Sequence, residues 1–335
     1  MLDHKTNKIK SMWNYIYKFY LDYMGSIQVI IEKLKNLPET NYKLGLFHLR
    51  KGNIYDAKLR FKIVLLLNKN HLMACYKLGY CYLVMGHTKK AAQYFVNCLK
   101  IKADFVEAQY MLATIDKKRS PISFIPISIV EEFFDDLAEN YHKDFVEKKG
   151  YKGHILLFES IQTLGEIKHF EKLEVLDMGC GTGLCGVYFK ERSSIDFLTG
   201  IDISTQMLVQ TKYAKAAGKP AYDNLLKTDF NNYILKHDKK FHIIMSACSL
   251  HYANDLEEII THCKKMLYPG GVLAFSVEKS IGDDIVLNER MENFSYSKRY
   301  LENVANKAGF NKVIINEVAV DEKNTLVWQF VGKVF

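Results

Sequence analysis

Three glycines and an aspartate at the end of an apolar run have the spacing of a ligand-binding turn. Residues 176 to 183 read LDMGCGTG, and residues 173 to 178 have the pattern of a buried parallel strand. Glycines let the backbone bend sharply and approach a ligand without clashes from Cβ atoms. The amides at the start of the next helix would face that ligand. The stretch therefore predicts a cofactor-binding turn between a strand and a helix.

Two cofactor classes fit the glycines. Residues 181 to 186, GTGLCG, match the G-x-G-x-x-G of dinucleotide-binding folds. Asp177, however, directly precedes the loop and would repel a pyrophosphate across a poorly screened gap. S-adenosylmethionine carries an ammonium and a sulfonium, so an acidic residue favours it over NAD. Asp202, nineteen residues beyond Gly183, is predicted to end the second strand and to accept both ribose hydroxyls.

Four motifs together resemble the class I S-adenosylmethionine-dependent methyltransferases. They are LDMGCGTG at 176 to 183, GIDIS at 200 to 204, KTDF at 227 to 230 and LYPGGVLAFSVE at 267 to 278. Over roughly residues 40 to 335 the chain resembles predicted bacterial methyltransferases with N-terminal tetratricopeptide (TPR) repeats. The resemblance implies an α/β fold: a Rossmann-like sheet with an antiparallel C-terminal hairpin, preceded by an all-α TPR domain.

The resemblance also implies a cofactor site for S-adenosylmethionine. Its predicted contacts are Asp177, Gly179, Cys180, Gly181, Thr182, Gly183, Asp202, Ile203, Met207, Asp229, Phe230, Ser246 and Tyr141. In the family, the residue at Asp229 accepts from the adenine amino group, and Phe230 beside it can cover the ring. The alternative for Asp229 is a cap of the short following helix, and both roles can hold together. Ser204 is the expected cap of the helix that follows the second strand.

A second family feature is a segment that folds over the cofactor as part of a lid. Residues 134 to 145 resemble it, which makes Tyr141 a candidate contact to the methionyl end. Val130, Phe133, Phe134, Leu137 and Tyr141 are spaced as one apolar helix face, and two glycines at 150 and 153 follow as candidate hinges. The alternative for Tyr141 is a core ring with its hydroxyl at the surface.

The residues after the fourth predicted strand, 241 to 246, discriminate between acceptor classes. The Asn/Asp-Pro-Pro-Tyr run of base N-methylating enzymes and the Pro-Cys of cytosine C5 enzymes are both missing from the sequence. The Leu-His-Tyr run at 250 to 252 instead resembles enzymes acting on small molecules. His251 and Tyr252 are the predicted catalytic residues, with His251 as general base because an imidazole titrates near neutral pH. A packing role for His251 is the alternative, and no metal site is predicted.

A repeat of period 34 precedes this region. Leu44-Gly45, Gly52, Ala57 and Phe61 recur as Leu78-Gly79, Gly86, Ala91 and Phe95, and 34 residues is the length of a TPR unit. Small residues are expected where two antiparallel helices approach closely, and large ones between neighbouring units. A third unit near Leu112 is incomplete. So short an array either binds a protein partner or serves as a rigid flank of the catalytic cleft.

Composition and the positions of helix-breaking residues predict the domain organisation. The predicted divisions are an N-terminal helical segment at 1–39, TPR-like repeats at 40–119, a proline-containing linker at 120–126 and a methyltransferase domain at 127–335. Seven cysteines without a C-x-x-C pair are typical of reduced thiols in the cytoplasm. The net charge of +8 is assigned to scattered surface lysines, so nucleic acid is not an expected partner. No segment is predicted to span a membrane.

The C-terminal part carries a topological prediction. An apolar helix face from Leu256 to Leu267 is expected to end at 269 to 271, with a strand from Gly271 to Val277 and a substrate-side insertion over 278 to 297. A helix over 300 to 308 and two strands, 312 to 320 and 325 to 334, follow. The last strand should run antiparallel to its neighbours, whereas a parallel one would contradict the methyltransferase interpretation.

Three functional hypotheses follow from these observations. The first is an enzyme that transfers a methyl group in line to an oxygen, nitrogen or carbon of a small molecule, chiefly by aligning the reactants. The second is a TPR adaptor in which the methyltransferase fold is a scaffold. The third is a protein or RNA methyltransferase that recruits its target through the repeats.

Overall fold

The computed structural model describes residues 36–116, 124–163, 172–282, 285–288 and 293–335. The chain divides into two compact units, Met1–Asp116 and Lys117–Phe335. Most of the predicted N-terminal segment and part of the predicted linker lie outside the described residues. We refer to the first unit as the helical unit and to the second as the sheet unit.

The helical unit is a run of consecutive helices, each of which packs against the next. They are α1 (Leu37–Arg50), α2 (Ile54–Leu67), α3 (Leu72–Val84), α4 (Thr88–Ile101) and α5 (Val106–Ile115). The all-α character that the repeat predicted is therefore confirmed. The helices form two helix–turn–helix pairs and a fifth helix, which matches the two and a half units counted in the sequence.

The repeated residues occupy equivalent places in the two pairs. Gly45 and Gly79 lie where a neighbouring helix comes closest, since an added Cβ would lie 2.6 Å from the Phe61 ring and 2.8 Å from the Phe95 ring, respectively. Both phenylalanines are fully buried. Gly52 and its repeat equivalent at 86 have φ of +75° and +77° in the turns between helices. The small glycines and the large phenylalanines thus pack as the 34-residue repeat predicted.

The sheet unit alternates helices and strands. Its helices are α6 (Ile127–Leu137), α7 (Gly153–Thr163), α8 (Leu184–Arg192), α9 (Thr205–Lys212), α10 (Phe230–Lys236), α11 (Glu257–Lys265) and α12 (Lys298–Ala308). Its strands are β1 (Leu173–Met178), β2 (Ile195–Asp202), β3 (Lys215–Ala216), β4 (Lys219–Pro220), β5 (Asn224–Lys227), β6 (Phe241–Ser246), β7 (Leu267–Lys279), β8 (Val286–Leu287), β9 (Phe294–Tyr296), β10 (Lys312–Ala319) and β11 (Leu326–Lys333).

The main sheet has the strand order β5-β2-β1-β6-β7-β11-β10. The five strands from β5 to β7 are parallel. The final strand β11 runs antiparallel to both β7 and β10. The predicted reversed C-terminal strand is therefore confirmed, and the sheet is Rossmann-like. Since the order reverses between β1 and β6, the loops after β1, β2, β5 and β6 open a crevice at the carboxyl edge of the sheet.

Local signals account for several element boundaries. The Ser204 hydroxyl caps α9 by accepting from the Met207 amide at 3.0 Å, as predicted. Gly309 ends α12 with φ of +75°. The predicted end of α11 was wrong, because the helix stops at Lys265 and Leu267 already pairs with Phe241 in the sheet. The strand that was expected from Gly271 therefore starts four residues earlier.

Other parts of the sheet unit differ from the predictions or add to them. The helix face from Val130 to Tyr141 is interrupted, because α6 ends at Leu137 and a separate π-helical turn spans His142–Glu147. The small hairpin of β3 and β4 was not predicted. The segment after β7 holds β8 and β9, and β9 pairs with the last residues of β7 at the carboxyl edge of the sheet.

The core of the sheet unit fills both faces of the sheet, with Val175, Leu198 and Met245 on neighbouring strands fully buried. All seven cysteines are free. Within the described ranges, no helix combines the length and apolarity needed to cross a bilayer, and no three His, Cys, Asp or Glu side chains are grouped as metal ligands.

Replacing Gly79 by Ala tests the repeat packing. Helix propensity alone predicts a gain of about 1 kcal/mol. The added methyl would press on the buried Phe95 ring, so we expect the free energy of unfolding of the helical unit to fall by about 1–3 kcal/mol. Urea unfolding followed by circular dichroism measures the change. In a Phe95→Leu background the same glycine substitution should cost less, whereas stabilisation by Gly79→Ala would contradict the close approach.

Candidate active site

The glycine loop leaves β1 through three left-handed residues. Gly179, Gly181 and Gly183 have φ of +74°, +55° and +90°, which L side chains rarely adopt. At Gly179 a Cβ would also lie 2.4 Å from the Ser249 hydroxyl. The amides of Gly179 and Cys180 donate to the Ile201 carbonyl at 2.8 and 3.0 Å. The loop is therefore fastened to β2, and its tight bend requires glycine.

Asp177 lies beneath this loop instead of facing the open crevice. Its side chain is 1% exposed, and its Oδ2 accepts from the Tyr222 hydroxyl at 2.6 Å. The same hydroxyl accepts from the Gly186 amide at 3.0 Å. Asp177 Oδ1 is buried and has no hydrogen-bond partner among the described residues. Tyr222 thus joins the end of β1 to the first turn of α8.

Sequence reasoning missed Tyr222, although two glycines signal it. A Cβ at Gly186 would lie 2.3 Å from the Tyr222 ring, and one at Gly200 would lie 2.8 Å from it. Gly186 is the last glycine of the G-x-G-x-x-G match. Its missing side chain makes room for a tyrosine, so this glycine does not by itself indicate a dinucleotide.

Burial changes the charge of Asp177. Desolvation raises the pKa of Asp177 to about 7, with the hydrogen bond from Tyr222 acting against the rise and the nearby Asp202 adding to it. The carboxyl group therefore does not present the full, exposed negative charge on which the sequence argument relied. Its position under the loop is as predicted, but its main described contact is to Tyr222.

Asp202 closes the loop from the end of β2. Its Oδ2 accepts from the Gly181 amide at 2.9 Å, and its Oδ1 accepts from the Ser204 amide at 2.8 Å. Burial raises the pKa of Asp202, while amide bonds to the carboxylate oppose the rise. Each carboxylate oxygen can accept a second hydrogen bond. Asp202 can therefore hold the loop and still accept from a diol, and Ile203 follows it, half-buried.

Asp229 and Phe230 lie just beyond β5. Asp229 caps α10 by accepting from the Asn232 amide at 2.9 Å, so the predicted capping role is confirmed. The tip of the Phe230 ring lies 3.5 Å from the point where a Cβ of Gly179 would be. Phe230 thus reaches the glycine loop, and the two residues form the side of the crevice beside β5.

Two predicted cofactor contacts are enclosed by protein. Met207 is 1% exposed within α9, and Ser246 is fully buried. The Ser246 hydroxyl donates to the Met178 carbonyl at 2.8 Å and fastens β6 to β1. In this conformation neither side chain reaches the crevice, because both are used in packing. The contacts of Met207 and Ser246 with the cofactor stay predictions.

The loop after β6 is strained and tightly packed. Cys248 has φ of +55°, which is uncommon for a residue other than glycine. Its amide donates to the Ser276 hydroxyl at 3.0 Å. Burial raises the pKa of the Cys248 thiol, and Ser276 and Tyr151 act against the rise. Strain of this kind concentrates at functional sites. Sequence reasoning singled out neither Cys248 nor Tyr151.

His251 is not poised to titrate near neutral pH. It lies on a short 3-10 turn, Leu250–Tyr252, is 8% exposed, and its Nδ1 has no partner among the described residues. Burial lowers the pKa of His251 to about 4. The reason given for a general base is therefore wrong, because desolvation disfavours the imidazolium. Tyr252 beside it packs edge-on against Phe134, with ring centroids 5.1 Å apart.

Tyr141 is brought to the crevice by the π-helical turn that follows it. Its hydroxyl is desolvated, which raises its pKa, and Cys248, Tyr252 and Asp202 add to the rise. Groups from the ends of β2 and β6 therefore surround Tyr141. Its predicted position near the cofactor residues agrees with this environment, and its ring stacks on Phe145 with centroids 4.8 Å apart.

Helix α6 crosses the carboxyl edge of the sheet. Asp135 accepts from the Ser204 hydroxyl at 2.6 Å and from the Gln206 amide at 3.0 Å. Glu131 pairs with Lys227 at the end of β5 at 2.6 Å. With the contact of Phe134 to Tyr252, these bonds attach the helix to residues that follow β2, β5 and β6. The helix has the position expected of a lid over the crevice.

Thr182 faces a different region. With Gly183 it lines a cavity of about 460 Å³ along α8, beside His154 and Tyr188. The other predicted cofactor residues do not line this cavity. Thr182 Oγ1 is buried without a hydrogen-bond partner in the described part of the chain. The loop therefore separates the crevice from this second recess.

Comparisons with known proteins agree with this geometry. Residues 176–273 match a family model described as a methyltransferase domain. The matched range runs from the last part of β1 into β7 and includes the glycine loop, Asp202, Asp229 and His251. This range of the chain is therefore similar in sequence to methyltransferase domains.

Curated relatives cover only part of the chain. A malonyl-[acyl-carrier protein] O-methyltransferase of Enterobacter lignolyticus is 30% identical over 102 residues, which is 30% of this chain and 38% of that protein. A ubiquinone biosynthesis O-methyltransferase of Actinobacillus pleuropneumoniae is 36% identical over 106 residues, which is 31% of this chain and 44% of the relative. The chain spans less than half the length of these two relatives.

The solved structures have lower sequence identity to this chain than the curated relatives have. An S-adenosylmethionine-dependent methyltransferase of Leishmania major has a TM-score of 0.49 at 14% identity, over 65% of this chain and 88% of the other. The magnesium protoporphyrin IX methyltransferase of Synechocystis, with bound S-adenosylmethionine, has a TM-score of 0.48 at 13% identity, over 64% of this chain and 100% of the other. Scores at this level bear on neither activity nor substrate.

Replacing Tyr222 by Phe tests the bond beneath the loop. The pKa of Asp177 is raised in the folded protein, so burying this group costs stability progressively as pH rises from about 4 to about 7. Without the Tyr222 hydroxyl, the ionised carboxylate loses its donor and the Gly186 amide loses its acceptor. We expect a loss of about 1–3 kcal/mol at pH 8, and a smaller loss at pH 5, where Asp177 is protonated.

Urea unfolding at the two pH values measures this difference. Tyr296→Phe removes another buried tyrosine hydroxyl from the same unit, one that donates to the uncharged Ala253 carbonyl, and serves as control. Its effect should not change between pH 5 and pH 8. An equal loss for Tyr222→Phe at both values would show that the bond to Asp177 is not what the hydroxyl contributes.

Proposed function

We propose that the chain is an S-adenosylmethionine-dependent methyltransferase acting on a small molecule. The observation that carries this proposal is the Asp202 carboxylate at the end of β2, which accepts from the Gly181 and Ser204 amides and has acceptor capacity beyond these bonds. The fit to a nucleoside is further supported by the side-chain-free bend at Gly179 and by Phe230 beside it. When bound, the cofactor supplies a methyl group on a positively charged sulfur.

The chain's residues then have distinct roles in the proposal. Asp202 accepts from the ribose hydroxyls, Asp229 accepts from the adenine amino group, and Phe230 covers the ring. The backbone at 179, 180, 181 and 203 provides the close surface of the site. Tyr141 lies over the methionyl end, where the lid helix and the loop after β6 meet. Asp177 acts from beneath, by fixing the loop through Tyr222.

The acceptor is proposed to be an oxygen that arrives already ionised. Burial keeps His251 neutral with a pKa of about 4, which makes it a weak base. Burial also raises the pKa of Tyr141, Tyr151 and Cys248, so these groups are protonated at neutral pH. A carboxylate or an acidic enol needs no base. The O-methyltransferase names of the relatives favour oxygen over nitrogen and carbon.

The helical unit is proposed to be a TPR-like array over residues 40–119 that binds a protein partner. The proposed arrangement keeps the linker at 120–126 and the methyltransferase domain at 127–335. The 34-residue equivalence of the two helix pairs supports the repeat assignment. The free cysteines support a reducing compartment, so we propose a cytoplasmic protein.

Replacing Asp202 by Asn tests the cofactor site. The amide keeps one oxygen acceptor but loses the charge and one acceptor, so we expect affinity for S-adenosylhomocysteine to fall at least about tenfold. Isothermal titration calorimetry measures it. Asp196→Asn removes an exposed carboxylate from the same strand and should leave the affinity unchanged. If the unmodified chain does not bind S-adenosylhomocysteine, the enzyme hypothesis is overturned and the scaffold hypothesis is favoured.

Replacing His251 by Ala tests the acceptor class. Once a screen of metabolites with isotopically labelled cofactor has identified an acceptor, we expect the kcat of the variant to stay within about tenfold of the original value. The pH profile of the unmodified enzyme should have no inflection near pH 6.5, because His251 titrates near pH 4. A bell-shaped profile lost in His251→Ala would establish the general base and contradict the ionised acceptor.

A further inference from the structure

Positive charge is concentrated in the helical unit. Residues 36–116 contain 12 lysines and arginines against five aspartates and glutamates, a balance of +7, while residues 1–35 carry +3 of the net +8 of the whole chain. From residue 117 to the end, 28 basic residues face 30 acidic ones, a balance of −2. The charge is therefore not scattered evenly, as the composition suggested. An imbalance of this size in 81 residues creates a field that attracts anions.

Three lysines of this unit surround one tyrosine. The ammonium groups of Lys58, Lys62 and Lys90 lie 5.9, 5.9 and 5.7 Å from the centre of the Tyr82 ring. These distances are at the outer limit of cation–π attraction, so the ring gives each charge little stabilisation. None of the three forms an ion pair with a described acidic side chain. Lys58 also lies 5.0 Å from the centre of the Tyr55 ring, so the three positive charges are grouped around aromatic rings and not around a described carboxylate.

The lysines stand beside exposed apolar residues. Tyr55, Leu59 and Leu66 are 72%, 55% and 80% exposed and lie on α2 with Lys58 and Lys62. Residues 55, 59, 62 and 66 lie on one side of α2 at helical spacing, so Lys62 lies within an otherwise apolar stripe. We call this surface, completed by Lys90 of α4, the basic–apolar face. It combines apolar contact area with positive charge over a few helical turns.

We propose that the basic–apolar face binds an acidic, amphipathic segment of another protein. The carboxylates of such a segment would pair with Lys58, Lys62 and Lys90, while its apolar side would cover Tyr55, Leu59 and Leu66. Nucleic acid fits less well, because exposed leucines offer nothing to a phosphate backbone. A bilayer also fits less well, since Tyr82 is 7% exposed and the lysines surround a point below the helix surface. This binding is independent of methyl transfer.

The test uses the full chain and a fluorescein-labelled helical peptide of about 18 residues, or five turns, with leucines on one face and glutamates on the other. Fluorescence anisotropy gives its Kd. The variant Lys58→Gln/Lys62→Gln/Lys90→Gln should weaken binding about tenfold or more, since it removes three charge contacts. The control Lys51→Gln/Lys69→Gln/Lys102→Gln removes the same charge from exposed positions of the same unit and should change Kd less than twofold.

A second variant tests the apolar part without changing charge. Leu59→Ser/Leu66→Ser alters two exposed residues and should weaken the amphipathic peptide about tenfold, but not a scrambled peptide of the same composition. The proposal is overturned if the unmodified chain does not bind the amphipathic peptide, or if the control triple weakens binding as much as the lysine triple. Tighter binding of a single-stranded oligonucleotide or of anionic phosphatidylserine vesicles, lost in the lysine triple, would also overturn it.

Discussion

A buried carboxyl group under the glycine loop is the constraint on which the candidate site depends. Asp177 ends a strand in the centre of the sheet, where water cannot solvate its side chain, and one hydroxyl from Tyr222 provides its described hydrogen bond. That hydroxyl also accepts from the first turn of α8. Because one group satisfies both partners, the strand end and the helix start keep a fixed separation. The loop between them is thereby held in its tight bend.

The loop is fixed from its other side by Asp202. Its carboxylate accepts from the Gly181 amide and from the Ser204 amide, and the Ser204 hydroxyl donates to Asp135 of helix α6. A continuous chain of hydrogen bonds thus runs from the glycine loop through β2 to the helix that crosses the crevice. Ser204 is therefore the residue through which this helix and the glycine loop are connected. A ligand on Asp202 would bear on both.

The sequence predicted those features of the fold that depend on short patterns. The strand–loop–helix of 173 to 192, the Ser204 and Asp229 caps and the reversed last strand are set by glycines, caps and alternation close in sequence. The partner of Asp177 could not be predicted this way, because Tyr222 lies 45 residues away and reaches it only through the fold. The burial of Met207, Ser246 and His251 likewise depends on tertiary packing. The spacing of residues in the sequence does not distinguish a side chain at the surface from one enclosed in the fold.

The titratable side chains around the loop after β6 are uncharged, which affects the chemistry of the site. Desolvation keeps the tyrosines and the thiol protonated and the imidazole uncharged, so this side of the crevice holds no strong base of its own among Tyr141, Tyr151, Cys248 and His251. A poorly hydrated wall also strips water from an incoming anion and strengthens its attraction to a positively charged sulfur. Alignment and desolvation can then supply the rate enhancement that a proton transfer would otherwise provide. Since the same burial penalises any isolated anion, an ionised acceptor in the proposed reaction depends on the positively charged sulfur to offset its desolvation.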